Sequence, residues 1–218
     1  MYEARSKDIV LRKVREALAK SAPFVPPTPD FNSTVYPPLA DEDLSIVFAQ
    51  NFLHTGGKFI YCESEENFYD QLFEFKQENN IQHLFVWESH LKKQLFGAGI
   101  NFNGDEKDFL KHAEVGLTTC EALLARTGSI LISSANAGGR RLSIYPEKHL
   151  VVAYTSQLVP DIKEALLSVR EKYAPKLPSM LSLVSGPSRT ADIEKTLVLG
   201  AHGPKQLVLF LIDDLIED

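Results

Sequence analysis

Cysteine is scarce in this chain of 218 residues, which contains only Cys62 and Cys120. The two do not form a C-x-x-C pair, and they cannot supply the four ligands that an iron–sulfur cluster or a structural zinc requires. They do not suggest a disulfide scaffold in a domain of this size either. The sequence therefore predicts a protein of the reducing cytosol that holds no cofactor and no metal.

Basic residues in excess and long apolar runs are lacking as well. The chain has 23 Lys and Arg residues against 29 Asp and Glu residues, a net charge of -6, so we expect no nucleic-acid surface. No run of about 18 apolar residues occurs, and we expect no membrane span. The N-terminus is too charged for a signal peptide. A small anionic ligand is still possible, because a few local arginines and backbone amides can hold one.

The best-known catalytic motifs are also missing. There is no Walker A loop, no G-x-G-x-x-G, no H-E-x-x-H and no G-x-S-x-G, so ATP-driven motors, the Rossmann fingerprint and hydrolase triads have no support. The composition that remains is that of a globular protein, with 44% hydrophobic and 24% charged residues. This length suits one domain with an N-terminal appendage.

The N-terminal region is predicted to be a helix followed by an extended arm. Ser6 can cap the helix, and Leu11, Val14 and Leu18 recur at helical spacing. The segment 21–39 is rich in proline, which lacks an amide donor and restricts the residue before it. We therefore expect residues 1–39 to form a helix and arm, and residues 40–218 to form the main domain. The helix is expected to dock on that domain or on a second subunit of a homo-oligomer.

From Asp41 onward the patterns typical of helices and strands alternate. Such alternation predicts an α/β fold with a mostly parallel sheet flanked by helices. The expected helices begin at Asp41, Ser64, Ser89 and Asp161, and the expected strands cover residues 59–62, 84–87, 115–118, 130–133, 150–154, 180–184 and 207–212.

Three glycine-containing turns flank strands of the second half: Thr127-Gly128-Ser129, Gly138-Gly139-Arg140-Arg141 and Ser185-Gly186-Pro187-Ser188. The third precedes a helix expected to start at Thr190, and such a turn at the carboxyl edge of a parallel sheet offers N–H groups to an anion. An arginine would add a forked cationic donor. Ordinary caps and hairpins explain the same turns. The candidate ligand-binding residues are Thr127, Gly128, Ser129, Gly139, Arg140, Arg141, Ser185, Gly186, Ser188, Thr190 and Asp192.

His202 lies in the turn-forming segment Gly200-Ala201-His202-Gly203-Pro204. A histidine in this setting is either a structural hydrogen-bonding residue or a catalytic acid or base. We expect His202 and the three turns to surround one pocket.

These turns belong to an ordered series of short motifs. The series begins with residues 113–118 (A-E-V-G-L-T) and continues with the first two turns, Pro146 and His149. The third turn, residues 191–194 (A-D-I-E) and the segment containing His202 complete it. In this order the motifs resemble the LUD-domain family. The resemblance implies a fold similar to ribose-5-phosphate isomerase and the CoA transferases. It also implies a role in oxidising L-lactate to pyruvate beside two iron–sulfur partner proteins, with this chain as the cluster-free component.

One position departs from the family's pattern. An acidic residue usually stands directly before the Thr-Gly pair, where this chain has Arg126. Glu121 lies five positions earlier, where an acid is also common. The resemblance therefore makes Glu121 a candidate catalytic residue beside His202.

Three functional hypotheses remain open from the sequence. The first is an anion-handling component of lactate oxidation. The second is a non-catalytic assembly or regulatory subunit. The third is an enzyme acting on a phosphosugar or a CoA ester, which rests on fold analogy alone.

Overall fold

The computed structural model describes residues 2–20, 36–37, 39, 43–107, 109–135, 140–193 and 196–215, with the backbone alone at 2–6, 191–193 and 196–198. Most of the expected proline-rich arm, the expected cap at Asp41, and Gly138 with Gly139 lie outside these residues. The chain falls into two units, Met1–Pro38 and Leu39–Asp218. The first contains helix α1, Tyr2–Lys20, which begins earlier than the expected Ser6. The domain boundary at residue 39 stays a prediction.

The second unit alternates helices and strands along most of its length. Its helices are α2 (Leu44–His54), α3 (Glu65–Glu78), α4 (Ser89–Gly97) and α5 (Ile162–Tyr173). Its strands are β1 (Lys58–Cys62), β2 (Leu84–Val86), β3 (Val115–Thr118), β4 (Ala122–Leu124), β5 (Ser129–Ser133), β6 (Lys148–Tyr154), β7 (Leu158–Val159), β8 (Leu181–Val184), β9 (Arg189–Ile193), β10 (Thr196–Leu199) and β11 (Gln206–Ile212).

The central sheet has the order β1-β11-β6-β3-β2, and each neighbouring pair of strands is parallel. The predicted mostly parallel sheet flanked by helices is thus confirmed. The sheet forms because its strands are short apolar runs that are separated by capped helices. Ser64 caps α3 by accepting a hydrogen bond from the Asn67 amide, and Asp161 caps α5 by accepting one from the Ile162 amide.

A second sheet, with the order β7-β4-β5-β8, packs against one face of the central sheet. β5 pairs antiparallel with both β4 and β8. β5 and β8 were expected in the parallel sheet, and that expectation is wrong. β4 and β7 were not expected at all, because strands of three and two residues are too short to show a period in the sequence.

The helix expected from Thr190 is also wrong. Residues Arg189–Ile193 form β9, which pairs antiparallel with β10. The segment is rich in β-branched residues, which favour extended backbone and here outweigh the helix-start signals. The turn before it therefore precedes a strand, and the anion-binding helix N-terminus expected there does not form.

The buried side chains form layers around the two sheets. One cluster fills the space under α3 and α4, where Phe68, Leu72 and Leu95 surround Phe210 of the central sheet. Another lies between the two sheets and under α2, with Phe48 and Phe52 at its centre. α5 covers the outer face of the second sheet through a third cluster, formed by Ala122, Leu124, Leu131, Ala165 and Val169. α5 is therefore fixed against the β4–β5 hairpin.

Candidate functional site

Two carboxylates lie where neighbouring parallel strands end. Glu88 follows β2, and residues 119–121 follow β3, which pairs with β2. The Glu88 carboxylate accepts hydrogen bonds from the Thr119 amide (2.8 Å) and from the Thr119 hydroxyl (2.6 Å). The carboxyl edge of parallel strands is where ligands bind in α/β sheets, so this edge is the first place to look for a site.

Glu121 is the centre of a polar cluster at this edge. Its amide donates to the Leu131 carbonyl (2.8 Å), which ties it to the β4–β5 hairpin, and its side chain is only 1% exposed. The carboxylate accepts hydrogen bonds from Lys172 Nζ (2.9 Å), from the Tyr173 hydroxyl (2.9 Å) and from the Ser133 hydroxyl. We call Glu121, Ser133, Lys172 and Tyr173 the Glu121 cluster. A buried carboxylate is expensive unless it is paired in this way.

The charges of this region shift each other's protonation. Burial raises the pKa of Glu88 to about 6, and the charge of Glu121 adds to the rise, while the hydrogen bonds from Thr119 and the charge of Lys172 oppose it. Burial lowers the pKa of Lys172, but its hydrogen bond to Glu121 and the charge of Glu121 outweigh burial, and the net direction is upward. Lys172 therefore stays charged, while Glu88 titrates around pH 6.

A second cation and two hydroxyls lie at the same end of the second sheet. Ser133 pairs with Leu181, and the next residue on β5's side, Ser134, donates its amide to the Met180 carbonyl (3.0 Å). The Arg140 guanidinium donates to the Ser179 hydroxyl (3.2 Å), which in turn lies 3.2 Å from the Ser134 hydroxyl. Since the side chain of Lys172 is 53% exposed, this end of the sheet presents two cations and two hydroxyls to solvent.

The other predicted turns lie at the opposite end of the β5–β8 pair. The Ser129 hydroxyl is 2.6 Å from the Ser185 hydroxyl, next to the pair Ile130–Val184, whereas Ser133 pairs with Leu181. Three residues of strand separate the two ends by about 10 Å. The structure therefore does not bring Ser129 and Ser185 together with Arg140, and Arg141 is paired with Glu106 instead.

Two motif glycines allow the turns at this far end to pack against α2. Gly128 has a φ of +58°, and a Cβ there would lie 2.3 Å from the Phe52 amide nitrogen. Gly186 has a φ of +90°, and a Cβ there would lie 2.5 Å from the Thr55 carbonyl oxygen. Both positions combine a left-handed backbone with contact to another backbone, which only glycine tolerates. Their geometry favours a packing role.

The Ser188 turn and the His202 segment bind each other. The Ser188 amide donates to the Pro204 carbonyl (2.9 Å), and the Gly200 amide donates to the Ser188 carbonyl (2.9 Å). His202 is exposed. Thr190 is half-buried in β9, Asp192 is described by its backbone alone, Thr127 is exposed, and Gly139 lies outside the described residues. The ligand-binding and catalytic roles of all these residues stay predictions.

Arg126, at the position where the resemblance implies an acid, forms an ion pair of 2.6 Å with Asp161 at the start of α5. This pair is at the end of the hairpin remote from Glu121, because Leu124 pairs with Ser129 whereas Glu121 precedes the pair Ala122–Leu131.

Three further buried groups are a histidine and the two cysteines. His149 Nε2 is 2.9 Å from the Thr118 hydroxyl, and burial lowers the pKa of His149 to about 4, so it is neutral at pH 7. Cys62 and Cys120 are both buried free thiols. Within the described ranges, no group of three or more His, Cys, Asp or Glu side chains could hold a metal ion. None of the helices in the described part of the chain is long and apolar enough to cross a membrane.

The family model of the LUD domain matches residues 103–212, a stretch that includes the whole second sheet and the strands β3, β6 and β11 of the central sheet. The chain belongs to the LUD domain family. The matched range includes Glu121, Arg140 and Lys172 of the candidate site, whereas Glu88 precedes it.

Named relatives agree with this assignment. Lactate utilization protein C 1 of Bacillus mycoides is 26% identical over 98% of this chain and 100% of its own length. Lactate utilization protein C of Shouchella clausii is 35% identical, and the match covers 51% of each chain. That of Bacillus subtilis is 34% identical over 48% of this chain and 44% of its own. The matched segment thus spans about half the length of the latter two relatives.

A solved structure shares the fold. The crystal structure of a DUF162 family protein from Deinococcus radiodurans superposes with a TM-score of 0.55, covering 78% of this chain and 96% of that one, at 21% identity. At that identity the likeness supports the fold alone.

Of the residues in this candidate site, Glu121 and Arg140 are among those predicted from the sequence, whereas Glu88, Thr119 and Lys172 are not. Glu88 and Thr119 directly follow two predicted strands, so their place at a carboxyl edge was a usable signal. Lys172 gives no such signal, because it becomes part of the site only through the packing of α5 on a hairpin that the sequence did not reveal.

Proposed function

We propose that this LUD-family chain is the cluster-free component of a cytosolic system that oxidises L-lactate to pyruvate beside two iron–sulfur proteins. Its own contribution is to bind a small monocarboxylate between Lys172 and Arg140. The names of the relatives support the pathway. The observation that carries the binding role is the hydrogen bond of 2.9 Å between Lys172 Nζ and the buried carboxylate of Glu121. This bond holds the exposed lysine at the carboxyl edge.

Glu121 makes Lys172 a better ligand-binding residue by restricting its movement. A free lysine loses side-chain entropy when it binds an anion, whereas Lys172 is already held through one of its three N–H donors. Arg140 adds positive charge that the carboxylate of Glu121 does not neutralise, and it can bind a carboxylate through two N–H groups. The hydroxyls of Ser134 and Ser179 offer additional donors at the same place.

Calorimetric titration of the protein with L-lactate and pyruvate tests the binding role. Lys172→Met removes a charge-assisted hydrogen bond worth about 1.5–3 kcal/mol, so the affinity should fall about ten- to a hundredfold. Lys163→Met is the matched control, because Lys163 is an exposed lysine of the same helix. Lys172→Met also removes a partner of the buried Glu121, and Arg140→Gln provides a second variant that leaves the Glu121 cluster intact.

Equal affinities in the wild type and both site variants, with unchanged melting, would contradict this binding role. Including a sugar phosphate and CoA in the titration separates a monocarboxylate site from the phosphosugar or CoA-ester alternative. Co-purification with two cluster-bearing proteins tests the pathway role separately, and a chain that binds such partners but no small anion would be an assembly subunit.

A further inference from the structure

The structure assigns a role to Glu88: we infer that it takes up a proton when a monocarboxylate binds, so that the site receives the ligand's negative charge together with that proton. This inference rests on the proposed binding site. It extends that site by one residue and one exchanged proton.

The first step is the position of Glu88 among other charges. Its carboxylate is bound to Thr119, which is separated from Glu121 by one residue, Cys120. Glu121 and Lys172 act on Glu88 with opposite charge, and Cys120 is fully buried beside both glutamates. With both glutamates ionised, Lys172 is hydrogen-bonded to Glu121 and its positive charge also acts on Glu88.

The second step is the effect of a third carboxylate. A monocarboxylate held by Lys172 and Arg140 would bring another negative charge to the same edge, and the repulsion would favour the neutral form of Glu88. Burial already places the pKa of Glu88 at about 6, so a modest further rise makes it protonate at neutral pH. A group far from its titration range would not respond to the same perturbation.

The third step is what the proton does after binding. Ionised Glu88 accepts two hydrogen bonds from Thr119, through the amide and the hydroxyl. A protonated Glu88 keeps the bond from the Thr119 amide on its unprotonated oxygen. Its O–H group can then donate to the Thr119 hydroxyl, because that hydroxyl can turn and accept. The proton comes from solvent, no covalent bond of the ligand changes, and the total charge at the edge stays the same.

The experiment is calorimetric titration with L-lactate at pH 7 in two buffers of different ionisation enthalpy, Tris and PIPES. The difference in heat between the buffers gives the number of protons taken up per lactate bound. We expect uptake of a measurable fraction of one proton in the wild type and none in Glu88→Gln. Above pH 7 the wild-type affinity should fall by up to about tenfold per pH unit, while that of Glu88→Gln should stay flat.

Glu88→Gln is suited to this test because Glu88 makes no side-chain capping bond to α4, whose N-cap it is. Glu164→Gln, an exposed glutamate of α5, is the matched control and should behave as the wild type. Lactate binding without proton uptake in the wild type would overturn the inference and leave the binding site intact. Uptake that persists in Glu88→Gln would also overturn it. Absence of binding in every variant would remove the proposed site and this inference with it.

Discussion

The most direct test of the charge arrangement is the pH dependence of folding stability in Glu88→Gln. The folded-state pKa of Glu88 is raised from 4.5 to about 6, so ionisation of this group destabilises the fold. Its favourable contribution is fully present below pH 4.5 and is lost as the pH rises through 6. A shift of about 1.5 units corresponds to about 2 kcal/mol, since each unit is worth about 1.36 kcal/mol.

Urea denaturation of the wild type and Glu88→Gln at pH 4.5 and pH 7.5 measures this contribution. Titrating groups that do not interact with Glu88 are common to both proteins, so they cancel in the difference between the two free energies of unfolding. We expect that difference to move by about 2 kcal/mol in favour of the glutamine variant between the two pH values. In melting temperature, this movement of about 2 kcal/mol corresponds to about 4–8 °C for a domain of this size. Parallel pH profiles would refute the reasoning, because they would mean that Glu88 titrates as an exposed side chain does.

Further predictions concern the core, the turns and the metal content. Burial lowers the pKa of His149 from 6.5 to about 4, so the stability that its neutral form contributes is present above pH 6.5 and is lost as the pH falls through 4. In urea denaturation, His149→Gln should reduce the loss of unfolding free energy at acid pH by about 3 kcal/mol. An unchanged decrease of stability with falling pH would contradict this. Gly186→Ala should lower the free energy of unfolding by at least about 1–3 kcal/mol, because its φ is +90° and the Thr55 carbonyl is in the way; a melting temperature equal to that of the wild type would show that the turn can relax. Ser188→Asp should leave lactate affinity unchanged in calorimetry, because Ser188 follows the Val184 end of β8 whereas Lys172 binds Glu121 at the Ser133 end of β5, and a large loss would show that the anion binds at the turn. Purified protein should contain no stoichiometric iron by elemental analysis, because both cysteines are buried thiols, and iron bound by this chain alone would refute this.

The regular part of the fold could be predicted because its signals are local. Ser64 before α3 and Asp161 before α5 are caps that can be recognised from a few neighbouring residues, and both act as caps in the structure. The strands of the central sheet are apolar runs bounded by such helices. Their parallel order follows from the alternation, because a helix between two strands brings the chain back to the same edge.

The second sheet could not be predicted because its pairing is not local. β8 pairs with β5 across about fifty intervening residues, and nothing in the sequence of either strand indicates this choice. The helix expected at Thr190 failed for a related reason. Its start signals were the hydroxyl and acidic residues, which also occur in turns and strands, whereas the β-branched residues further along favoured a hairpin.

Part of the candidate site was predictable for the same reasons. Carboxylates after parallel strands can be found from the sequence, and Glu121 was expected on the family resemblance. The error was to place all glycine-containing turns at one edge. Because β5 and β8 are antiparallel, the turn before β5 and the turn after β8 lie together at one end, and Arg140, which follows β5, lies at the other.

Helix α5 joins the Arg126 end of the β4–β5 hairpin to the Glu121 end. This arrangement makes an arginine at residue 126, where the resemblance implies an acid, compatible with the candidate site. Asp161 at its start is paired with Arg126, and Lys172 and Tyr173 at its end bind Glu121. The 12 residues of α5 span about 18 Å, so the helix reaches from Arg126 beyond one end of the hairpin to Glu121 beyond the other. Ala165 and Val169 pack on the sheet between the two polar contacts. Arg126 therefore fixes the beginning of the helix whose far end positions Lys172. An acid at residue 126 would place two carboxylates side by side at the start of α5, because Asp161 already lies there against Arg126.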